Sequence, residues 1–167
     1  MRKVDRGDFM HQSVERKRAY DNKAQPIDYN VVISQPLLHC FCMEWLESKL
    51  RPGASVLDVG CGSGYLCATF YELVKKSDGS ANVVGIEHIK ELAQFSVDNL
   101  SKSYSKQLKD GSIKIFCGDG REGQKDGAPY DVIHAGAVSA TVPQAFVDQL
   151  KPGGVIVMPV GNYNTDN

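Results

Sequence analysis

The stretch Ser55-Val56-Leu57-Asp58-Val59-Gly60-Cys61-Gly62-Ser63-Gly64 decides the fold of this chain. Its first half is a short apolar run, which is typical of a parallel strand that is buried on both faces. Its glycines lie between that strand and a predicted helix over residues 65–76. Glycines in this position let the backbone turn sharply and approach a ligand closely, at the carboxyl end of the strand. The stretch therefore predicts a strand followed by a nucleoside-binding loop.

Strand and helix patterns alternate through the rest of the chain. Further strands are predicted over residues 82–87, 113–117, 130–135 and 155–159. Amphipathic helices are predicted over residues 89–104 and 142–150, with Lys151-Pro152-Gly153-Gly154 as a turn. Alternation of this kind indicates βαβ units with right-handed crossovers. We therefore expect a Rossmann-like α/β fold, with a mostly parallel sheet and helices on both faces.

The amino-terminal third is patterned differently. Residues 8–20 look helical, and residues 21–33 look extended or looped. An apolar helical pattern follows Pro36 and ends at Leu50, and proline is favoured in a first helical turn. We expect Trp45, Leu46 and Leu50 on this helix to be core residues.

Composition excludes several classes of protein. No apolar run approaches the 18 residues of a membrane span, and no apolar stretch follows the first residues as in a signal peptide. The net charge of −1 gives no electrostatic reason to expect nucleic acid or a membrane as partner, and the basic residues among the first 18 are interpreted as a solvated helix face. We expect a cytoplasmic protein.

The cysteines argue against a metal site. Their number, 5, is odd, and neither a Cys-x-x-Cys motif nor a paired histidine spacing is present. We expect no metal and no disulfide framework. Free thiols buried as small hydrophobic groups in a reducing cytosol are the better interpretation.

Three carboxylates fall where an adenosyl cofactor would need them. Glu87 ends the second core strand and could accept both ribose hydroxyls, while Asp119-Gly120 would lie near an adenine edge. Asp58 could accept hydrogen bonds from loop amides or from the amino group of a methionine moiety. The spacing Gly-x-Gly-x-Gly lacks the third glycine expected for a dinucleotide. S-adenosylmethionine is therefore favoured over NAD.

Longer motifs are specific to one family. They are Val4-Asp5-Arg6, Ile33-Ser34-x-Pro36-x-x-His39, Leu57 to Leu66, Gly85-Ile86-Glu87-His88-Ile89, Gly118-Asp119-Gly120-Arg121-x-Gly123, Ala128-Pro129-Tyr130-Asp131-x-Ile133-His134, Val142-Pro143, Leu150 to Gly154 and Pro159-Val160-Gly161. In these motifs the chain resembles the protein-L-isoaspartate O-methyltransferases, over nearly its whole length and in the family's order. The pair Ile-Ser-x-Pro-x-x-His and Gly-Asp-Gly-Arg carries most of this specificity.

The resemblance implies a reaction and a site. A methyl group would pass from S-adenosylmethionine to the α-carboxylate of an L-isoaspartyl residue in a damaged protein, and the ester would collapse to a succinimide that can reopen to aspartate. Ser34 would be the active-site serine. The residues that would hold the cofactor are Val31, Val32, Ile33, Ser34, His39, Asp58, Gly60, Gly62, Ser63, Glu87, His88, Asp119 and Gly120.

The predicted organisation is one domain. With the resemblance, we expect residues 1–167 to form a single methyltransferase domain. Within it, residues 1–50 would be a helical and loop segment that forms the cleft, and residues 51–167 would be the Rossmann-like core.

The chemistry of this reaction explains why few catalytic groups are expected. A free α-type carboxylate, with a pKa of about 3.5, is ionised at neutral pH and needs no general base. Catalysis would consist mainly of alignment. Ser34 would orient the carboxylate as a hydrogen-bond donor, although a role as a helix cap stays open. His39 and His134 could equally be structural histidines near the cleft.

Some residues depart from the family pattern. Val32 and Leu37 stand where the family usually has threonine and histidine, and Gln35 replaces a small residue. Two alternatives therefore stay open: a methyltransferase for another carboxylate or small molecule, and an inactive cofactor-binding module.

The carboxyl end carries a further expectation. The family continues with two more strands, so we expect a chain truncated after the fifth core strand, with its final strands missing. Whether such a chain is active or inactive stays open. The resemblance implies a monomer, and dimerisation through the open edge strand is the alternative.

Overall fold

The computed structural model describes residues 3–161 of the chain. Its strands are β1 (Gln25–Asp28), β2 (Val31–Ile33), β3 (Ser55–Val59), β4 (Asn82–Glu87), β5 (Ile113–Cys117), β6 (Tyr130–Ala135) and β7 (Leu150–Val157). Its α-helices are α1 (Pro36–Leu46), α2 (Tyr65–Val74), α3 (Lys90–Asp110) and α4 (Gln144–Gln149).

The central sheet has five strands in the order β5-β4-β3-β6-β7, and every neighbouring pair is parallel. Strands β1 and β2 form a separate antiparallel pair beside it. The predicted core strands β3 to β6 are confirmed, but β7 starts earlier than expected. The predicted turn at 151–154 lies inside β7, where the register slips between Tyr130 and Val132 of β6. The four residues bulge out of the ladder instead of ending it.

The core has two sides because alternate strand residues face opposite ways. On one face, Val56 and Val83 pack with Phe70 of α2 and Leu92 of α3. On the other face, the neighbouring positions of β3 and β4 pack with Phe146 of α4. Helices therefore cover both faces of a parallel sheet, as predicted from the alternation of patterns.

The helix predicted over residues 8–20 is wrong. This segment contains two short 3₁₀ helices, Arg6–Phe9 and Arg16–Tyr20. Asp5 accounts for the difference: its carboxylate accepts hydrogen bonds from the amide of Gly7 and from the side chains of Arg16 and Tyr20. This local hydrogen bonding competes with a continuous α-helix. Arg6 is only 4% exposed, so the interpretation of the basic residues as one solvated face is also wrong for this arginine.

Two other helices end away from their predicted limits. Helix α1 ends at Leu46, and Trp45 is 62% exposed, so its prediction as a core residue is wrong, whereas Leu46 is buried. Helix α3 continues to Asp110, beyond the predicted end at Tyr104, but Tyr104 has non-helical backbone angles and marks a kink. The expected end of the helix therefore coincides with a real break in its geometry.

Three of the five cysteine side chains are buried. Cys42, Cys61 and Cys67 follow the prediction, whereas Cys40 and Cys117 are exposed, which corrects it. Within residues 3–161, no helix combines the length and the apolar character needed to cross a bilayer. The expected truncation concerns the carboxyl end of the chain, where residues 162–167 lie outside the described residues.

Gly85 of β4 is a packing constraint beneath the glycine loop. A β-carbon built there would lie 2.8 Å from Cys67 Sγ, 2.8 Å from Ile115 Cδ1 and 3.0 Å from Cys61 Sγ. We expect Gly85→Ala to lower the free energy of unfolding by about 1–3 kcal/mol because overpacking forces neighbours to move. Urea denaturation measures this change. Gly161→Ala is the matched control, since nothing lies within 4 Å of its added carbon, and an equal loss in both variants would contradict the packing argument.

Candidate functional site

A cleft lies at the carboxyl ends of β3, β4 and β6. It consists of two adjoining cavities of about 520 Å³ and 690 Å³. Both are lined by Gly60, His88, Ala135, Ala137 and Met158, so they lie side by side. Cavities of this size hold drug-sized ligands and cofactors. Their position after the strand ends is the one at which open parallel sheets bind ligands.

The glycine loop has a backbone that only glycine adopts readily. Gly60, Gly62 and Gly64 have φ angles of 72°, 54° and 82°, in the left-handed region. The amides of Gly60 and Cys61 both donate to the carbonyl of Ile86, at 2.8 and 3.2 Å, which joins the start of the loop to β4. The loop therefore turns sharply into α2 while keeping its backbone against the cleft.

Helix α3 holds the same loop from behind. Ser96 Oγ donates to the carbonyl of Gly62 at 2.6 Å, and Asn99 Nδ2 donates to the carbonyl of Ser63 at 3.1 Å. Both side chains are buried. Sequence analysis missed these two residues, although a buried serine and asparagine on the apolar side of a predicted amphipathic helix are the signal that could have found them.

Glu87 is one of two buried carboxylates that line the cleft. It is 4% exposed, and its Oε2 accepts from the amide of Gly62 at 3.1 Å. Its Oε1 accepts from the amide of Ile89 at 3.1 Å and lies 3.0 Å from Nδ1 of His88. Glu87 thus joins the end of β4 to the glycine loop. Since a carboxylate offers about four acceptor positions, one remains for a ligand hydroxyl.

Asp58 contacts different groups from those predicted. Loop amides were one of its two predicted kinds of donor, but the amide of Gly62 donates to Glu87, and Asp58 Oδ1 lies 2.7 Å from Nδ1 of His134. Its other oxygen accepts from Cys67 Sγ at 3.5 Å. The pairing follows from the sheet, because Asp58 and His134 are register partners on β3 and β6. Both residues also line the larger cavity.

His134 is protonated at neutral pH. Burial lowers the pKa of His134, but the hydrogen bond that its imidazole donates to Asp58 and the negative charge of that carboxylate, together with Cys42, outweigh burial and raise that pKa to about 9. The imidazolium is therefore held in place by a carboxylate that is 1% exposed. His134 is both a structural residue and part of the cleft wall.

Ser34 and His39 face the larger cavity from the amino-terminal segment. The helix-cap interpretation of Ser34 is not supported, since the N-cap position of α1 is Gln35. His39 is 5% exposed, and burial, followed by the charge of Arg6, lowers its pKa to about 3. His39 is therefore neutral in the working range of most proteins.

The smaller cavity is mainly apolar. Asp119 and Gly120 lie on its rim, with Val59 and Phe146 on its walls. A β-carbon at Gly120 would lie 2.6 Å from Val59 Cγ1, so only glycine fits there. Hydrogen bonds from Arg121 lower the pKa of Asp119 to about 2, and the Arg121 guanidinium lies 2.6 Å from its carboxylate. Both oxygens of this carboxylate accept hydrogen bonds from Arg121. The backbone of Gly120 is therefore the more accessible polar group for a ligand.

All thirteen residues predicted to form the site line one of the two cavities. The structure brings together residues from both the amino-terminal segment and the core. Besides Ser96 and Asn99, sequence analysis missed Arg6 as part of this region, although the motif Val4-Asp5-Arg6 contains it. No group of three or more His, Cys, Asp or Glu side chains in residues 3–161 could hold a metal ion.

A parallel sheet, a glycine loop at its carboxyl edge and an acid at the end of the next strand define the chain as a Rossmann-like methyltransferase fold. The family model described as protein-L-isoaspartate(D-aspartate) O-methyltransferase matches residues 1–167. The chain belongs to this family.

Individual relatives agree. The chain is 47% identical to protein-L-isoaspartate O-methyltransferase 1 of Arabidopsis thaliana, over 99% of this chain and 70% of the relative. It is 45% identical to a protein-L-isoaspartate O-methyltransferase of Triticum aestivum, with the same coverage of 99% and 70%. A crystal structure of a Plasmodium falciparum protein of this name, in complex with S-adenosyl-L-homocysteine, superposes with a TM-score of 0.84 at 28% identity, covering 98% of this chain and 75% of that one.

The Asp58–His134 pair should make stability depend on pH. Because the pKa of His134 is about 9 in the folded protein and near 6.5 when unfolded, its contribution is fully present below pH 6.5 and is lost as pH rises through about 9. We expect the free energy of unfolding to fall over this range by up to roughly 3 kcal/mol. Urea denaturation at several pH values measures it. His134→Gln should flatten the decline, whereas His11→Gln should not, and an unchanged decline in His134→Gln would contradict the assignment.

Proposed function

We propose that this chain transfers the methyl group of S-adenosylmethionine to the free α-carboxylate of L-isoaspartyl residues in damaged proteins, the first step of their repair. The observation that carries the proposal is the larger cavity, which the glycine loop and Glu87 line together with Ser34 and His39. Membership of the protein-L-isoaspartate O-methyltransferase family supports the same reaction.

The cleft fits an adenosyl cofactor. The left-handed loop at Gly60 and Gly62 carries no side chain on the cofactor side, and Glu87 keeps one acceptor position for a ribose hydroxyl. We assign the adenine to the smaller, apolar cavity beside Asp119 and Gly120, and the amino-acid part to the larger cavity. S-adenosylmethionine, when bound, supplies a methyl group on a positively charged sulfur.

The other residues assigned to cofactor binding surround this core. Val31, Val32 and Ile33 would close the larger cavity from β2, while Ser63 and His88 would flank the glycine loop and Glu87. Asp58 would act through its pair with His134, which keeps one negative and one positive charge in the wall of the cleft.

The acceptor needs alignment more than activation. An α-carboxylate is ionised at neutral pH, so the protein does not have to remove a proton. Ser34 would donate its hydroxyl hydrogen to one carboxylate oxygen and leave the other free to attack. The larger cavity is lined by neutral His39 and by apolar side chains such as Leu38, which would exclude water from the reacting atoms.

One observation favours a second candidate function, a methyltransferase for a different carboxylate. Val32 and Leu38 present exposed apolar surface at the mouth of the larger cavity, with 53% and 41% exposure. Val32 stands where the family usually has a hydroxyl group, so the acceptor contacts here differ from the usual pattern.

We further propose that residues 1–167 act as one domain, with residues 1–50 forming the cleft against the core at 51–167. Contacts of α1 with β7 and of the Arg6–Phe9 helix with α3 support this arrangement. We propose a monomer acting on isoaspartyl proteins and peptides, with an edge-strand dimer as the alternative and no nucleic acid or membrane as partner. A cytoplasmic location is supported by the free buried thiols.

The function is tested with labelled S-adenosylmethionine, an isoaspartyl peptide and its normal aspartyl twin. We expect label in the isoaspartyl peptide alone, because the aspartyl residue of the normal peptide has its α-carboxyl group in the peptide bond and offers only a β-carboxylate. Ser34→Ala should lower kcat/KM by about tenfold, the cost of one hydrogen bond to a charged group.

Other outcomes would point elsewhere. Label in both peptides would indicate a less selective carboxyl methyltransferase. Label in neither, with S-adenosylhomocysteine bound in calorimetry, would indicate an inactive cofactor-binding module. NAD binding more tightly than S-adenosylhomocysteine would exclude the cofactor assignment.

Glu87→Gln tests the ribose contact. The substituted amide brings a second donor towards the amides of Gly62 and Ile89, and it loses the charge that strengthens a hydrogen bond to a ribose hydroxyl. We expect the Kd for S-adenosylhomocysteine to rise tenfold to a hundredfold in calorimetry. Glu91→Gln, an exposed glutamate on α3, is the control and should leave the Kd unchanged. If the wild type, Glu87→Gln and Glu91→Gln bound S-adenosylhomocysteine with equal affinity, Glu87 would not be a cofactor-binding residue.

A further inference from the structure

Arg6 is a buried cation without an acidic partner among residues 3–161. It is 4% exposed and belongs to none of the ion pairs of that part of the chain. Burial lowers its pKa, although an arginine remains charged at neutral pH. A buried charge of this kind is costly to maintain unless its hydrogen bonds are satisfied. Its contacts therefore indicate what it does.

The guanidinium makes three hydrogen bonds and one ring contact. Its Nε donates to the carbonyl of Ala19 at 2.8 Å, and its Nη2 donates to the carbonyl of Ser34 at 2.7 Å. Its Nη1 lies 3.3 Å from Nδ1 of His39. The guanidinium carbon lies 5.5 Å from the ring centre of Tyr65. Two of the three hydrogen bonds thus go to residues that line the larger cavity.

The contact with His39 determines where the imidazole carries its proton. A guanidinium only donates, so Nδ1 of His39 must accept and its single proton must sit on Nε2. The low pKa of His39, about 3, keeps the ring neutral. The ring is also oriented by Tyr65, with the ring centres 5.5 Å apart.

The Nε2–H of His39 is open to the cavity. No hydrogen bond within residues 3–161 uses this N–H group. In the same residues, every fully buried side-chain nitrogen or oxygen has a hydrogen-bond partner. Nε2 of His39 is therefore not fully buried. Since His39 lines the larger cavity, this donor is available to a ligand there. Ser34 lines the same cavity, and its backbone carbonyl accepts from the same guanidinium.

The charges around this cavity favour the binding of an anion. Asp58 and Glu87 are already engaged by His134 and by the amide of Gly62. The described lining contains no lysine or arginine, so Arg6 supplies positive charge from behind Ser34 and His39, in addition to that of His134. Neutral donors backed by a buried cation are suited to a carboxylate.

We propose that Arg6 is a positioning residue, which prepares a carboxylate-binding corner formed by the Nε2–H of His39 and the hydroxyl of Ser34. The inference rests on the proposed function for the source of the carboxylate. Both the methionine part of the cofactor and the acceptor residue carry one, and the two sources differ in their response to substitution.

The experiment uses the full chain with Arg6→Met and Arg6→Lys, and with Arg18→Met, an exposed arginine of the same segment, as control. Calorimetry gives the Kd of S-adenosylhomocysteine and of 5′-methylthioadenosine, which lacks the amino-acid carboxylate. Kinetics give KM for an isoaspartyl peptide. If the corner holds the methionine carboxylate, Arg6→Met weakens S-adenosylhomocysteine about tenfold or more and leaves 5′-methylthioadenosine unchanged. If it holds the acceptor, KM rises by the same factor while both Kd values stay as they are.

Arg6→Lys should restore part of the lost affinity, since lysine keeps the charge but cannot form all three hydrogen bonds. A folded Arg6→Met variant with wild-type Kd and KM values would overturn the proposal. An equal loss of affinity for both thioethers with an unchanged KM would also overturn it, because that result indicates a general structural role.

Nitrogen NMR of wild-type His39 keeps the proposal testable even where Arg6→Met fails to fold. The expected spectrum is a neutral ring protonated at Nε2 from about pH 5 to 8, on either side of the usual histidine pKa. A ring protonated at Nδ1, or one titrating near the usual value of about 6.5, would refute the proposal. The Kd values of the two thioethers and the spectrum of His39 do not depend on turnover, so they test this inference even where the isoaspartyl peptide is not methylated.

Discussion

The hydrogen bond from the amide of Gly62 to the carboxylate of Glu87 is the contact on which the cleft depends. It joins the carboxyl ends of two neighbouring strands through a buried acid. Without this donor, Oε2 of the buried carboxylate would lose its hydrogen bond within the described residues, and without the acceptor, the loop amide would be an unpaired buried group. Each residue therefore satisfies the other, and the loop has its final shape only when β3 and β4 are paired. The rest of the site is arranged around this junction.

A second pair, Asp58 and His134, extends the same principle to the next strand. In a parallel sheet, register partners on adjacent strands point to the same face, so a carboxylate and an imidazole placed at corresponding positions meet. The pair places opposite charges in the wall of the cleft while leaving its net charge nearly unchanged. A site for a sulfonium and a carboxylate, which are themselves oppositely charged, benefits from such neutrality.

The core could be predicted from the sequence because its signals are local. Each apolar run from β3 to β6 is enough to indicate its own strand, and the glycines after β3 indicate their own turn. Glu87 could be recognised because it is the last residue of the strand that follows them in the sequence. The partners of Asp58 could not be predicted, because they depend on which strand lies beside β3. The amino-terminal segment was predicted least well, since Asp5 binds groups more than ten residues away and replaces one helix with two short ones. Trp45 was misassigned because helical periodicity does not show which face of α1 is covered.

The attachment of the glycine loop to α3 has a consequence for the thermodynamics of ligand binding. Ser96 and Asn99 hold the carbonyls of Gly62 and Ser63 from outside the cleft, through contacts that involve no ligand. The loop is thus ordered before a ligand arrives, and little conformational entropy remains to be lost there on association. The affinity of the cleft for an adenosyl compound should therefore arise mainly from new contacts and from released water. The heat-capacity change of binding should match the surface that the ligand buries, and it should be smaller than that of a segment that folds on binding.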